Sequence, residues 1–159
     1  MIQSMSVQRV ADAARALGLQ IEVREFPEGT RTAEDAALAI GVDVGQIVKS
    51  LVFIADGRPV ICLISGPNRL DTARLAATAG AADVRRANAD EVREATGFAV
   101  GGVPPFGHRL PVPVFADRDL LQYVTVWAAA GTPMAVFSVA PAALVHACGA
   151  TVADIKEEN

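Results

Sequence analysis

Aromatic side chains are scarce in this chain: six Phe, one Trp and one Tyr make up 5% of its residues. The core must therefore be assembled from Ala, Val, Leu and Ile. Cysteine is scarcer still. Cys62 and Cys148 stand far apart in apolar company, which argues against a disulfide-stapled scaffold and reads as two buried, reduced thiols. With no CxxC pair, no Cys/His cluster and no HExxH, no metal site is expected. GxSxG and GxxxxGK[ST] are absent too, so neither a serine nucleophile elbow nor a phosphate loop is present. No run approaches the ~18 apolar residues of a membrane-spanning helix. "MIQSMSVQRV" lacks a charged segment leading into an apolar one, so no secretory leader and a cytoplasmic location are expected. Excess basic charge is missing as well: 14 Lys and Arg face 18 Asp and Glu, a net charge of −4. That argues against a broad basic face for duplex DNA but leaves room for a local basic cleft.

What is present is aliphatic and patterned. An apolar fraction of 52% with 20% charged residues fits a folded chain, and 159 residues fit one domain spanning 1–159. Val7, Val10, Ala11, Ala14 and Leu17 recur at helical spacing, with Ser6 as a candidate cap and Gly18 as the stop. "QIEVREF" alternates like a strand and "PEGTR" reads as a turn. "TAEDAALAIG" reads as a helix capped by Thr32 and closed by Gly41. "IVKSLVFIA" and "PVICLIS" around "DGR" form the clearest hairpin. After the break "SGPNR" come a helix in "LDTARLAATAG", a short strand in "ADVRRA" and a helix begun by Asn88 or Asp90 and ended by Gly97. "VPVFAD" reads as a strand and "RDLLQY" as a turn or short helix. "VTVWAAA" and "MAVFSV" make a second hairpin, "APAALVHACG" a helix, "ATVADI" a last strand and "KEEN" a solvated tail. Strands joined by tight turns among helices imply a mixed or antiparallel sheet with helices packed on it, not a doubly wound parallel one.

Few residues stand out as chemistry. Lys49 interrupts an apolar strand, on the face of Leu51 and Phe53 and opposite Val48, Ser50 and Val52. Two readings are open: an edge lysine reaching for water, or a cation at a pocket rim that meets phosphate or carboxylate. "GGVPPFG", residues 101–107, is stiffened by Pro104 and Pro105, while Gly101 and Gly102 let backbone N–H groups approach a ligand. It is either a preorganised anion cradle or a rigid connector. His108 ends the loop with no carboxylate marked by spacing, and His146 reads as structural or exposed. Arg69, Arg74, Arg85, Arg86 and Arg109 would make a phosphate-binding rim if they converged.

In combination, "TAEDAALAIG", "GQIVKSLVF", "ATGFAVGGVPPFGH" and "GTPMAVFSV" resemble, in order, the YbaK/prolyl-tRNA-synthetase-associated domain family. These are free-standing aminoacyl-tRNA deacylases related to the editing domain inserted in bacterial prolyl-tRNA synthetases. The resemblance covers roughly residues 20 to 155, and the strand lysine followed about fifty residues later by a GxxxP loop is its most specific part. It implies an α/β (α+β) fold: a mixed, largely antiparallel, curled and partly barrel-like sheet with surrounding helices. It places the family lysine on Lys49 and the GxxxP loop on Gly101, Gly102, Val103, Pro104 and Pro105. The family aspartate falls on Asp117, and the small-residue turn on Ser65 and Gly66. Ser50 joins the substrate-binding set as the lysine's neighbour, and His108 by its place at the loop's end, where members vary. The implied reaction is hydrolysis of mischarged tRNA(Pro) bearing a small amino acid: alanine, or cysteine, serine, threonine or 2-aminobutyrate. Lys49, Gly101 and Gly102 would do the catalytic work on a positioned water, with the adenosine 2′-hydroxyl assisting. No cofactor is implied. The expected partners are the acceptor end of aminoacyl-tRNA and a prolyl-tRNA synthetase, with no membrane or duplex DNA, and a monomer or weak homodimer. The rival readings are a non-catalytic aminoacyl-tRNA or nucleotide binding module, a hydrolase of another small ester, and an interaction domain without ligand.

Overall fold

A computed structural model describes residues 2–26 and 32–158, with only the backbone described for 2–4. The expected turn in "PEGTR" lies outside the described residues. Helix α1 (Ile2–Ala16) begins before Ser6, so that serine is not its cap, but Val10 and Ala14 are fully buried as their spacing predicts. Strand β1 is shorter than its alternation suggests (Val23–Glu25). In α2 (Ala33–Ile40) the Thr32 hydroxyl accepts the Asp35 N–H and Gly41 closes the helix in the left-handed conformation, as expected.

The hairpin of β2 (Ile47–Ala55) and β3 (Arg58–Ser65) forms with Val48 opposite Ser65. Asp56 and Gly57 both take positive φ, 49° and 80°, the turn that matches strand twist. Beyond it lie α3 (Thr72–Ala79), capped by Asp71, β4 (Val84–Arg86) and α4 (Ala89–Thr96), capped by Asn88. The glycine/proline loop leads to β5 (Val114–Asp117), a 3-10 turn (Arg118–Gln122), the β6 (Val126–Ala129) and β7 (Ala135–Val139) hairpin, α5 (Pro141–Cys148) and β8 (Thr151–Ala153).

The strands form one mixed sheet in the order β1-β7-β6-β2-β3-β5-β8, with β4 also on β2. β1–β7, β2–β3, β2–β4 and β6–β7 are antiparallel, while β2–β6, β3–β5 and β5–β8 are parallel. The expected mixed α/β architecture is present, but the sheet is open at β1 and β8 and does not close into a barrel. Its central strands are buried on both faces. Val48, Val52, Ile61, Leu63, Val114 and Ala116 pack with α1, α4, α5 and the glycine/proline loop. The alternate residues Phe53, Ala55, Val60, Cys62, Ile64 and Phe115 pack with Leu75 of α3. Ala36, Ala37 and Ile47 form a third, small cluster against Trp127.

One edge of β2 faces β3 over most of its length; two strands share the other. β6 pairs with Ile47 and Val48, and β4 with Phe53, Ile54 and Ala55. Each is pinned locally. Gln46 donates to the Thr125 carbonyl at 3.0 Å just before β6, and the Asp56 carboxylate accepts the N–H groups of Ala82 and Asp83 just before β4. Between them the sheet splits, with Ala87 N–H reaching only as far as Val52 O at 3.1 Å. Ser50 has no strand partner on that edge.

The chain leaving β3 passes against the 3-10 turn Val44–Gln46, and Gly66 makes this possible: a Cβ there would run into the main-chain oxygen of Val44. The C-terminal residues are not a free tail. Ile155 is fully buried, Leu70 and Lys156 form an antiparallel bridge, and Arg74 pairs with Asp154 and Glu158. Gly66→Ala is therefore expected to lower stability by about 1–3 kcal/mol, read as a lower urea midpoint with an unchanged slope. An unaltered midpoint would show that this crossing has slack.

Candidate active site

A cavity of about 580 Å³ opens at the split in the sheet. Its wall holds Val48, Lys49, Ser50, Leu51 and Val52 of β2, Trp127, Ala128 and Ala129 of β6, Ala135 and Val136 of β7, and Val92 of α4. The start of α2, the turn after β3 and the loop after α4 complete it. Most of this wall is small and aliphatic. Lys49 and Ser50 are the exceptions within β2: strand alternation turns the main-chain N–H and C=O of Ser50 toward the unpaired edge, and its hydroxyl is buried with no hydrogen-bond partner.

Lys49 is half-buried in this wall, and its ammonium donates to the main-chain oxygen of Asn68. Burial holds its pKa below the ordinary lysine value. Arg86 and Arg69 push the same way, against the carboxylates of Glu34 and Asp117. The cavity thus gathers three cations, and no ion pair neutralises Arg69 or Arg86 among the described residues. The support behind Lys49 is Asp117. This buried carboxylate accepts the Ser65 N–H at 3.1 Å, the Asn68 side-chain amide at 2.8 Å and the Asp119 N–H at 3.0 Å. The Ser65 hydroxyl donates to Gly45 O at 2.6 Å. Together these bonds fix the turn whose Asn68 carbonyl receives the lysine.

The glycine/proline loop contributes Gly101 and Val103 to the wall. Gly101 sits at φ 91° with its open face toward Pro133 of the β6–β7 turn. Gly102 has a different use. Its N–H donates to Ala99 O at 3.0 Å, and a Cβ would come within 2.7 Å of Gly131 O. Its lack of a side chain lets two backbones stack, and its N–H is already engaged. The rest of the loop is a buried brace. Pro104 and Pro105 are covered, and the His108 ring nitrogen Nε2 lies 2.7 Å from Pro104 O. A carbonyl only accepts, so Nε2 carries the proton.

The sequence compares with known proteins along this whole cavity. Residues 27–147 match the model of the aminoacyl-tRNA editing domain. The chain belongs to the aminoacyl-tRNA editing domain family. A crystal structure described as a candidate trans-editing enzyme for prolyl-tRNA synthetase superposes on this editing domain with a TM-score of 0.91 at 49% identity, covering 96% of this chain and 98% of that one. The proline–tRNA ligase of Citrifermentans bemidjiense is 39% identical over 92 residues, 58% of this chain and 16% of the ligase. EbsC of Enterococcus faecalis, named as a candidate Cys-tRNA(Pro)/Cys-tRNA(Cys) deacylase, is 28% identical over 131 residues, 82% of this chain and 80% of its own. The expected family, and with it an aminoacyl-tRNA deacylase that hydrolyses ester bonds, are borne out.

The editing domain brings together five of the expected site residues in its cavity wall: Lys49, Ser50, Gly66, Gly101 and Val103. Ser65, Gly102, Pro104, Pro105, His108 and Asp117 stand behind it and hold its parts in place. Of the arginines expected at a rim, Arg69 and Arg86 line the cavity. Arg74 and Arg85 are tied to carboxylates instead, Arg85 to Glu91 at 2.7 Å, and Arg109 is not in the wall. Glu34, Asn68 and Trp127 are wall residues that sequence reasoning missed. Asn68 had a readable signal: pairing Lys49 with Ile64 returns the "SGPNR" turn to the lysine's side. Neither thiol lines the cavity, and burial pushes Cys62 and Cys148 up to about 12. No cluster of His, Cys, Asp and Glu able to hold a metal occurs among the described residues, and no helix there is long and apolar enough to cross a membrane.

Burial holds the His108 pKa below 6.5, outweighing its bond to Pro104. Above that pH the ring is neutral whether the chain is folded or unfolded. As pH falls below it, the unfolded chain takes up a proton that the folded loop resists, so stability drops until the folded pKa is passed. His108→Gln, whose amide can still donate to Pro104 O, is expected to lose less melting temperature than the parent between pH 7.5 and 5.5. Equal losses would remove His108 from the pH response.

Proposed function

We propose that this editing domain removes a small amino acid from mischarged tRNA, tRNA(Pro) above all, by ester hydrolysis without a protein nucleophile. The observation that carries this reading is a lone desolvated lysine in the wall of an aliphatic cavity, inside an editing-family fold. The names of the relatives support the choice of tRNA.

An aminoacyl ester is already activated. Holding it beside a water, with a cation and N–H donors near the developing oxyanion, supplies the main terms of catalysis. Lys49 is the cation for the ester and the terminal ribose or phosphate. The unpaired main-chain groups of Ser50 and the backbone of Gly101 are the neutral partners for the aminoacyl carbonyl and α-amino group. Gly102 drops back to shaping the loop because its N–H is spent. The attacking water takes its order from these groups and from the adenosine 2′-hydroxyl. The small side chains of Ala128, Ala129 and Ala135 limit the amino acid's size, and the acidic chain as a whole grips only the acceptor end. A prolyl-tRNA synthetase is the natural neighbour for such an activity, and a cytoplasmic location fits it.

Release of amino acid from Ala-, Cys-, Ser-, Thr- and Pro-charged tRNA(Pro) tests the proposal. One small amino acid should be released quickly and Pro spared, and Lys49→Ala should slow release by roughly 10²–10³-fold with the fold retained. Wild-type turnover in a folded Lys49→Ala protein would sink the assignment. No release from any charged tRNA would make the protein an aminoacyl-tRNA binding module.

Arg69 and Arg86 face the tRNA's phosphates in this reading. Arg69→Gln and Arg86→Gln should each flatten the log–log salt dependence of KM by about 0.7, while Arg74→Gln, which breaks only internal ion pairs, should leave the slope unchanged. Unchanged slopes in both rim variants would put the phosphates elsewhere.

A further inference from the structure

The family match ends at residue 147, yet residues beyond it bond to the turn that lines the cavity. Ile155 O accepts the Asp71 N–H at 2.8 Å, and the Glu157 N–H donates to Arg69 O at 2.7 Å. With the bridge between Leu70 and Lys156, the C-terminal segment lies as a short strand along the turn that carries Asn68 and Arg69.

The side chains make the link more specific. The Lys156 ammonium donates to Asp119 Oδ2 at 2.6 Å, and that same oxygen accepts the Asn68 amide at 2.9 Å. The second hydrogen of this amide goes to Asp117 Oδ2. Two carboxylates therefore converge on one neutral amide, an arrangement that repels itself unless a cation sits beside it. Lys156 is that cation. Without it, Asp119 is free to turn toward water, and the Asn68 side chain loses one of its two anchors. The main-chain oxygen of Asn68 is the acceptor of the Lys49 ammonium.

We propose that Lys156 is a positioning residue of the editing site: through Asp119 and Asn68 it fixes the main-chain oxygen that holds the Lys49 ammonium in the cavity wall. The proposal rests on the reading of Lys49 as the site's working cation. Lys156 and Asp119 are each about one-third exposed, and ion pairs this open to water add little to stability. Positioning and folding are therefore separable by experiment.

The full chain with Lys156→Met keeps the aliphatic stem and removes the charge; Lys156→Arg restores it. On the amino acid released fastest by the parent, Lys156→Met should lower kcat about tenfold with little change in KM or melting temperature, and Lys156→Arg should recover most of the loss. In a Lys49→Ala background Lys156→Met should cost nothing further, because the route to the ester is already cut. A full kcat in Lys156→Met, or the same loss with and without Lys49, would overturn the proposal. A second readout needs no substrate: the Lys49 ¹⁵N-ammonium signal, slowed in exchange by its carbonyl partner, should broaden or vanish in Lys156→Met and persist in Lys156→Arg. A persisting signal in Lys156→Met would overturn the positioning role even if no charged tRNA proved to be a substrate. Should Lys156→Met fail to fold, Asp119→Asn breaks the same link and is read the same way.

Discussion

Everything at the site follows from one conflict over hydrogen bonds: two strands compete for a single edge of β2. β6 approaches in parallel along Ile47 and Val48, and β4 in antiparallel along Phe53 to Ala55. Neither can extend into the other's half, so the sheet splits at Ser50 and the cavity is the opening that results. A buried sheet normally satisfies every main-chain donor and acceptor. Here the edge of β2 around Ser50 has no strand partner and the Ser50 hydroxyl has no hydrogen-bond partner, beside a lysine, where a polar ligand can satisfy them. The cavity is therefore a built-in vacancy in the ladder and not a groove between separate layers.

The electrostatics follow from the same opening. Lys49 stands in the stretch of β2 that neither β6 nor β4 pairs. Its charge is partly desolvated and is held by a carbonyl instead of a carboxylate. A carboxylate partner would neutralise the site; a carbonyl orients the ammonium and leaves its charge available. Arg69 and Arg86 add positive potential at close range in a chain that carries a net negative charge. This concentrates attraction for an anionic substrate at the cavity and nowhere broad, as the proposed grip on the acceptor end alone requires.

The loops around the opening are kept rigid by close backbone contact. Gly66 lets the turn after β3 press on the 3-10 turn before β2, and Gly102 lets the loop after α4 press on the β6–β7 turn. His108 and Cys148 then brace the proline pair from behind through Pro104 O and Pro105 O. The proposed hydrolysis, which holds an activated ester in place with no covalent step, demands this kind of stiffness.

Much of the fold was legible in the residues themselves. Alternation gave both hairpins, Thr32, Asn88 and the trailing glycines bounded their helices, and the lysine within an apolar strand stood out as a candidate, because these features act over a few residues. The family motif added the GxxxP loop to it. What local pattern does not contain is which strands meet. Only the tertiary structure decided that the sheet stays open, that the edge of β2 is divided at Ser50, that Gly102 spends its N–H on Ala99, and that the apparently solvated "KEEN" end is drawn in against Leu70. Each of these depends on contacts between residues far apart in the chain, where hydrogen-bond satisfaction and packing of distant surfaces outweigh any preference written in the neighbouring sequence.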